Sequence, residues 1–328
     1  VKSKRERAKE KEQKSEVNFM RTMTILLLII TGVVVSTMSQ TVVRAPDGLK
    51  SLPECWEWAV REAGKVGGTG GVWIGYSIQR LMSENSWIGS FNSFPEKDEV
   101  SLYELITGRQ IEFEDRGRDD LKDAVRKALS RAERKKDEKK VLKEVAFLFE
   151  FRGSPADLGT LRTIRTTNIT LRVDLDGLSL LWLGTIPAGE SVTHLKQLLH
   201  DVTSRRASEK LIQAIGLHGN SPGVFEELVD ILKRKDQASA REEAAFWLGQ
   251  LDTISALKLL VETARNDESK KVAEKAIFAI SQMTMKEATE TLIDLGRNGP
   301  SRETRKKAVF WLGQHASRMV IDTLENFV

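Results

Sequence analysis

AAFWLGQ at 244–250, AIFAISQ at 276–282 and AVFWLGQ at 308–314 are three versions of one phrase. Their phenylalanines, Phe246, Phe278 and Phe310, stand 32 residues apart each time. A fixed period of that length marks a solenoid, in which each unit buries its apolar face only against its neighbours. The frame extends upstream: 33 residues before Phe246 lies Gln213, inside LIQAIGLH. One position of the frame is always small (Gly216, Gly249, Ser281, Gly313), and the residue before it is always a large aliphatic (Ile215, Leu248, Ile280, Leu312). Small residues let neighbouring helices approach closely, and the aliphatics fill a continuous core.

Each unit has a second element upstream, anchored on Leu195, Leu228, Leu260, Leu292 and Leu324. Apolar residues three before and three after these leucines, such as Phe225 and Ile231, give one stripe on a helix; Thr263 and Thr289 interrupt it. Turns are expected at Lys233–Asp236, Arg265–Asp267 and Arg297–Pro300, with second helices starting at Ser204, Gln237, Ser269 and Ser301. Serine suits the N-cap because its hydroxyl accepts a backbone N–H of the first turn. Each unit therefore reads helix, turn, helix. Four pairs and one final helix fill about residues 190–328, within a solenoid expected over 187–328.

The A-x-F-W-L-G-Q runs and the S-x-x-x-x-x-K-A segments before them, Ser269 to Ala276 and Ser301 to Ala308, resemble the HEAT repeat family. The likeness is to its short bacterial form, named after the phycobilisome lyases. It covers roughly the last 140 residues. The resemblance implies an α-α superhelix with a ligand-binding concave face, and no particular task, because this repeat scaffolds many.

The other end of the chain bears on compartment. Residues 1–19 hold seven basic and four acidic residues and three large apolar ones, and are expected either to be a disordered charged tail or to precede the true initiator, Met20. Arg21 is followed by the apolar run Ile25 to Val35 and the small exit Ser36-Thr37-Met38-Ser39. That is the layout of a secretory signal peptide over residues 20–45, cleaved or retained as an N-terminal anchor. Either outcome puts residues 46–328 outside the cytoplasmic membrane, periplasmic or secreted. The formal charge is +4, of which residues 1–19 supply +3, so the remainder is nearly balanced and nucleic acid is not an expected partner.

Between these regions the periodicity changes. Gly64 to Gly71 reads as a hinge, and Val72, Ile74, Tyr76 and Ile78 alternate as a strand with one buried face. Val145, Phe147, Phe149 and Phe151 do the same, and Asp176-Gly177 reads as the turn of a hairpin. SWIGSF (86–91) and QIEFE (110–114) are weaker strand candidates, while Asp119 to Val145 reads as one charged helix. The expectation is a small, mainly-β domain with one long helix over 46–186, so that the fold class is an α+β domain followed by an all-α, HEAT-like solenoid.

No arrangement in the sequence points to catalysis. His194, His200, His218 and His315 form no i, i+4 metal pair and no HExxH. Asp174-x-Asp176-Gly177 lacks the rest of a calcium loop, the glycines at 64–71 do not spell a phosphate loop, and no G-x-S-x-G occurs. Cys55 is the single cysteine, which excludes an internal disulfide; beside Trp56 and Trp58 it is expected to be buried. No cofactor is expected. Gln250, Gln282 and Gln314 are expected to satisfy terminal helix carbonyls.

Packing leaves one feature unexplained. Lys233, Arg265 and Arg297 recur at 32-residue steps, with Lys270, Lys271, Arg302 and Arg305 close by. They read either as a solvated face or as a basic ridge for an acidic partner protein. The sequence therefore indicates an extracytoplasmic interaction or scaffold protein that uses its repeat surface. The alternative is a lyase-like enzyme, or a binder of a small cofactor in the solenoid groove.

Overall fold

The computed structural model describes residues 41–66, 70–84, 86–89, 101–109, 139–235 and 237–325, with side chains described as far as residue 314. The expectations for residues 1–40, for QIEFE, for the helix over 119–138 and for the side chains of His315 and Leu324 lie outside the described residues.

Five strands form one sheet: β1 (Val42–Arg44), β2 (Val72–Ser83), β3 (Lys140–Phe151), β4 (Leu161–Asn168) and β5 (Leu180–Thr185), in the order β1-β5-β2-β3-β4. β5 runs parallel to both β1 and β2, whereas β2–β3 and β3–β4 are antiparallel. The alternating residues meet across β2 and β3: Ile74 faces Phe149, Tyr76 faces Phe147 and Ile78 faces Val145. The opposite face is buried too, where Trp73, Ala146, Leu148, Leu180 and Trp182 pack under α2 (Leu102–Thr107) and the Leu175 loop. The sheet is therefore covered on both sides, in place of the single buried face expected.

Three further expectations change. Residues 140–145 belong to β3 and not to a helix. Gly64 and Lys65 lie within α1 (Leu52–Val66), so the hinge does not begin at Gly64. Asp176-Gly177 does form a tight turn with both residues at positive φ (53° and 69°), closed by Leu178 N–H donating to Leu175 O at 3.0 Å. It is not a hairpin, because β5 pairs in parallel with β1 and β2. Of SWIGSF, residues 86–89 are irregular and dock Ile88 against Asn168 through bonds of 2.7 and 2.8 Å. Val42–Arg44, at the end of the 20–45 segment, pair with Leu180–Trp182 and form the edge strand β1.

The helices follow as four pairs: α3 (Ala188–Asp201) with α4 (Arg205–Gly216), α5 (Val224–Leu232) with α6 (Ala238–Gln250), α7 (Ile254–Asn266) with α8 (Lys270–Gln282), and α9 (Lys286–Asn298) with α10 (Arg302–Glu325). The starts of the second helices fall where the sequence places them. Ser204 and Ser301 accept N–H groups of the first turn, from Ala207 at 3.4 Å and Thr304 at 3.0 Å. α10 runs unbroken to Glu325, so no separate final helix stands at Leu324.

The first pair is also the roof of the sheet. Trp56 of α1 lies between Phe149 (5.2 Å between ring centroids) and His194 of α3 (4.4 Å). The Glu190 carboxylate at the start of α3 accepts the Leu52 N–H that begins α1, at 2.9 Å. One continuous apolar core runs from Leu52 through Phe151 and Leu195 to Ala308. The chain passes from strands to helices at Ile186-Pro187, but its core does not stop there.

Candidate interaction surface

The second helices form the continuous layer of the solenoid: α6 packs on α4 and α8, and α8 on α10. The small residues of the frame make this approach possible. A Cβ on Gly249 would lie 2.8 Å from both the Cβ and the carbonyl oxygen of Ala279, and one on Gly216 would overlap the Trp247 ring at 2.2 Å. The aliphatic partners Ile215, Leu248 and Ile280 are fully buried beneath.

Two adjacent aromatics cannot both face the core of one helix, since neighbouring residues point about 100° apart. The second helices therefore carry a row of aromatics on their outward side. The Phe246 and Phe278 rings stack at 6.1 Å and 9°, and Phe278 meets Trp311 at 4.7 Å. Phe246 and Phe278 stay partly exposed, and at the end of the row Phe310 and Val309 are 53% and 57% exposed. Trp247 Nε1 is buried with no hydrogen-bond partner among the described residues. Alongside runs a charged row in which Lys275 sits 5.8 Å above the Phe278 ring and Lys307 pairs with Glu274 at 2.8 Å. Burial raises the Glu243 carboxyl, and Lys275 partly offsets this. Gln250 and Gln314 are exposed, and Gln282 donates to Ser281 Oγ at 3.0 Å and not to a terminal carbonyl.

The seven basic residues of the expected ridge divide into two groups. Lys233, Arg297, Lys270, Lys271 and Arg302 are exposed. Arg265 is engaged within the fold, reaching across to α9 to pair with Asp294 and to donate to Asn298 O at 3.3 Å. Arg305 donates to Gly299 O at 2.8 Å and so caps α9. Of the seven side chains expected to line such a ridge, five are thus exposed and two are engaged within the fold. A further clamp between units is buried: Arg241 Nη1 donates to Asp267 Oδ2 at 3.0 Å, both side chains being 7% exposed.

Three of the four histidines have described side chains, His194, His200 and His218. His218 is buried, and its Nδ1–H donates to Ala214 O at 2.8 Å, which leaves Nε2 to accept the Ser191 hydroxyl at 2.9 Å. Tyr76 O–H completes the chain by donating to Ser191 Oγ at 2.9 Å. Burial lowers both His194 and His218 to about 4, with Arg80 adding to the effect on His218, and it pushes the Tyr76 phenol up. This serine–histidine pair ties α3 and the end of α4 to β2. His200 is exposed and paired with Asp201 at 2.9 Å. Cys55 is buried, which raises its thiol. Among the described residues no group of three or more His, Cys, Asp or Glu is placed to hold a metal ion, and no helix is long and apolar enough to cross a membrane.

The sequence signal for the aromatic row is the adjacency of Phe246-Trp247 and of Phe310-Trp311, which a helix must turn to different sides. No curated protein matches the chain. Among solved structures, human deoxyhypusine hydroxylase in complex with glycerol is similar at 20% identity and a TM-score of 0.33, over 38% of this chain and 43% of that one. The likeness thus spans less than half the length of that protein. Residues 225–309 match the HEAT repeats family. That match begins on α5 and ends on α10, in the frame set by the three phenylalanines, and the helices from Ala188 onward form a HEAT-like solenoid.

Proposed function

We propose that the protein is a non-catalytic interaction scaffold that holds another protein on the outward face of its second helices. HEAT repeats commonly serve such a role, and the observation that carries the finer reading is the aromatic row. Phe310 and Val309 are more than half exposed, and Phe246 and Phe278 continue the same surface inward. Apolar surface of this kind, rimmed by charge, is typical of protein contacts, and aromatics supply most of the energy of such contacts. The exposed Lys233, Lys270, Lys271, Arg297 and Arg302 favour a partner with an acidic rim, mainly through its rate of association. On the sequence pattern of residues 20–45, the proposed setting is outside the cytoplasmic membrane, periplasmic or secreted.

The test is chemical cross-linking of the full chain in its native envelope, comparing three forms. Val309→Ser with Phe310→Ser is expected to reduce the captured partner by roughly tenfold, the scale of a lost hot spot. Lys233→Glu with Arg297→Glu is expected to weaken capture more at low salt than at high salt. Arg265 is left intact, because its loss would release Asp294. Equal capture of the same partner by all three forms sinks the reading.

A further inference from the structure

A second site lies at the β4 edge of the sheet. A cavity of about 350 Å³ is lined by four arginines, Arg152, Arg162, Arg165 and Arg206, together with Glu150 and Asp176. They come from different parts of the chain: the end of β3, the edge strand β4, the tight turn before β5, and the first turn of α4.

Two of the four are held in place. Arg152 Nε donates to Glu150 Oε1 at 2.5 Å, and its Nη1 donates to Gly70 O at 3.0 Å. Arg165 Nη2 donates to Asp176 Oδ2 at 2.8 Å, its guanidinium lies 4.8 Å from the Trp73 ring, and it also bonds to Asp174 O. The other two are not used up in this way. Arg162 Nε stands 3.9 Å from the same Glu150 oxygen, which Arg152 already occupies, and Arg206 is exposed with no ion pair among the described residues. Four positive groups thus face two negative ones.

A surplus of two guanidinium charges around one cavity gives it a positive potential that favours the entry of an anion. Neither uncommitted arginine contributes to the core. Guanidinium forks match the oxygens of phosphate in pairs, and α4 begins beside Arg206, so the positive end of its dipole adds the same sign of field. The walls are polar, whereas the walls of pockets for drug-like molecules are mostly apolar. We propose that this cavity binds a phosphate-bearing anion carrying at least two negative charges. Glu150 and Asp176 orient the inner pair of arginines, and Arg162 and Arg206 close on the ligand. The source could be a free phosphate compound or the headgroup of a phosphomonoester lipid, which share this chemistry. The inference is independent of the solenoid face.

The experiment is isothermal titration of the full chain with inorganic pyrophosphate at fixed ionic strength, alongside sedimentation with vesicles containing a phosphomonoester lipid. Binding of either probe is expected to saturate, and Arg162→Gln with Arg206→Gln is expected to weaken it at least tenfold. Arg205→Gln, whose residue is paired with Glu209 at 2.9 Å and does not line the cavity, should leave it unchanged. The probe that binds more tightly identifies the source. No binding of either probe at millimolar concentration, or equal binding by the double variant and the parent, overturns the proposal.

Discussion

Ser191 has no feature in the sequence that sets it apart from the chain's other serines, yet it joins two halves of the molecule. Its hydroxyl accepts from Tyr76 of β2 and donates to His218, just beyond α4. Ser191→Ala leaves a buried phenol and a buried ring nitrogen without their partner. A loss of roughly 1–3 kcal/mol is expected from orphaned polar groups of this kind, read as a lower urea midpoint. Two buried histidines, His218 of this chain of bonds and His194 packed against Trp56, make the fold sensitive to acid. His194 and His218 ionise at about 4 when folded and near 6.5 when unfolded, so between these values the unfolded chain binds more protons. Stability is then full above pH 6.5 and falls as pH drops toward 4, by up to about 3 kcal/mol for each ring. Denaturant titrations at pH 7 and pH 4.5 check this. An unchanged midpoint would mean that the rings are not buried as described. None of this was legible beforehand, because the partners are 27 and 115 residues from Ser191 along the chain.

At the scale of the element, the repeats were the most legible part. Their period specified pairs, turns and helix starts, because each unit meets the same neighbours and must solve the same packing problem. The small position of the frame gives a direct check. Gly249→Ala forces a methyl to 2.8 Å from Ala279 and is expected to cost roughly 1–3 kcal/mol through overpacking. Gly313, at the same place in the last repeat, has no described atom within 4 Å of an added methyl. Gly313→Ala should therefore be neutral or stabilising by up to about 1 kcal/mol, the difference in helix propensity. Urea midpoints of the two variants separate these outcomes, and equal effects would place the close approach elsewhere. The strands were read less well. Lys140 to Glu144 look helical because they are rich in charge, and they are so because the outer ends of β2 and β3 leave the core. There Leu81 and Leu142 face each other across the ladder, each 60% exposed. The tight turn at Asp176-Gly177 was legible, but which strands it serves was not, since β5 finds its partners far away in sequence.

For the molecule as a whole, the sheet and the solenoid share one core, and the first helix pair serves both. That was hidden in the sequence because α3 and α4 keep the repeat frame while covering Phe147, Phe149 and Tyr76. The candidate surfaces were legible to different degrees. The basic residues were picked out by spacing, but spacing could not show that Arg265 and Arg305 already have partners within the fold. The arginine cavity was invisible, since it is assembled from separate elements. The central claim, that the second-helix face is where a partner sits, is tested most directly by hydroxyl-radical footprinting of the full chain with and without its cross-linked partner. The exposed apolar side chains are internal reporters: Phe310 on the solenoid face, Leu81 and Leu142 on the sheet, and Trp87 on the irregular segment beside it. The account predicts that the partner suppresses oxidation of Phe310 and Trp311 and leaves Trp87, Leu81 and Leu142 unchanged. Protection of Trp87 and the two leucines, with Phe310 still oxidised at its free rate, would contradict it.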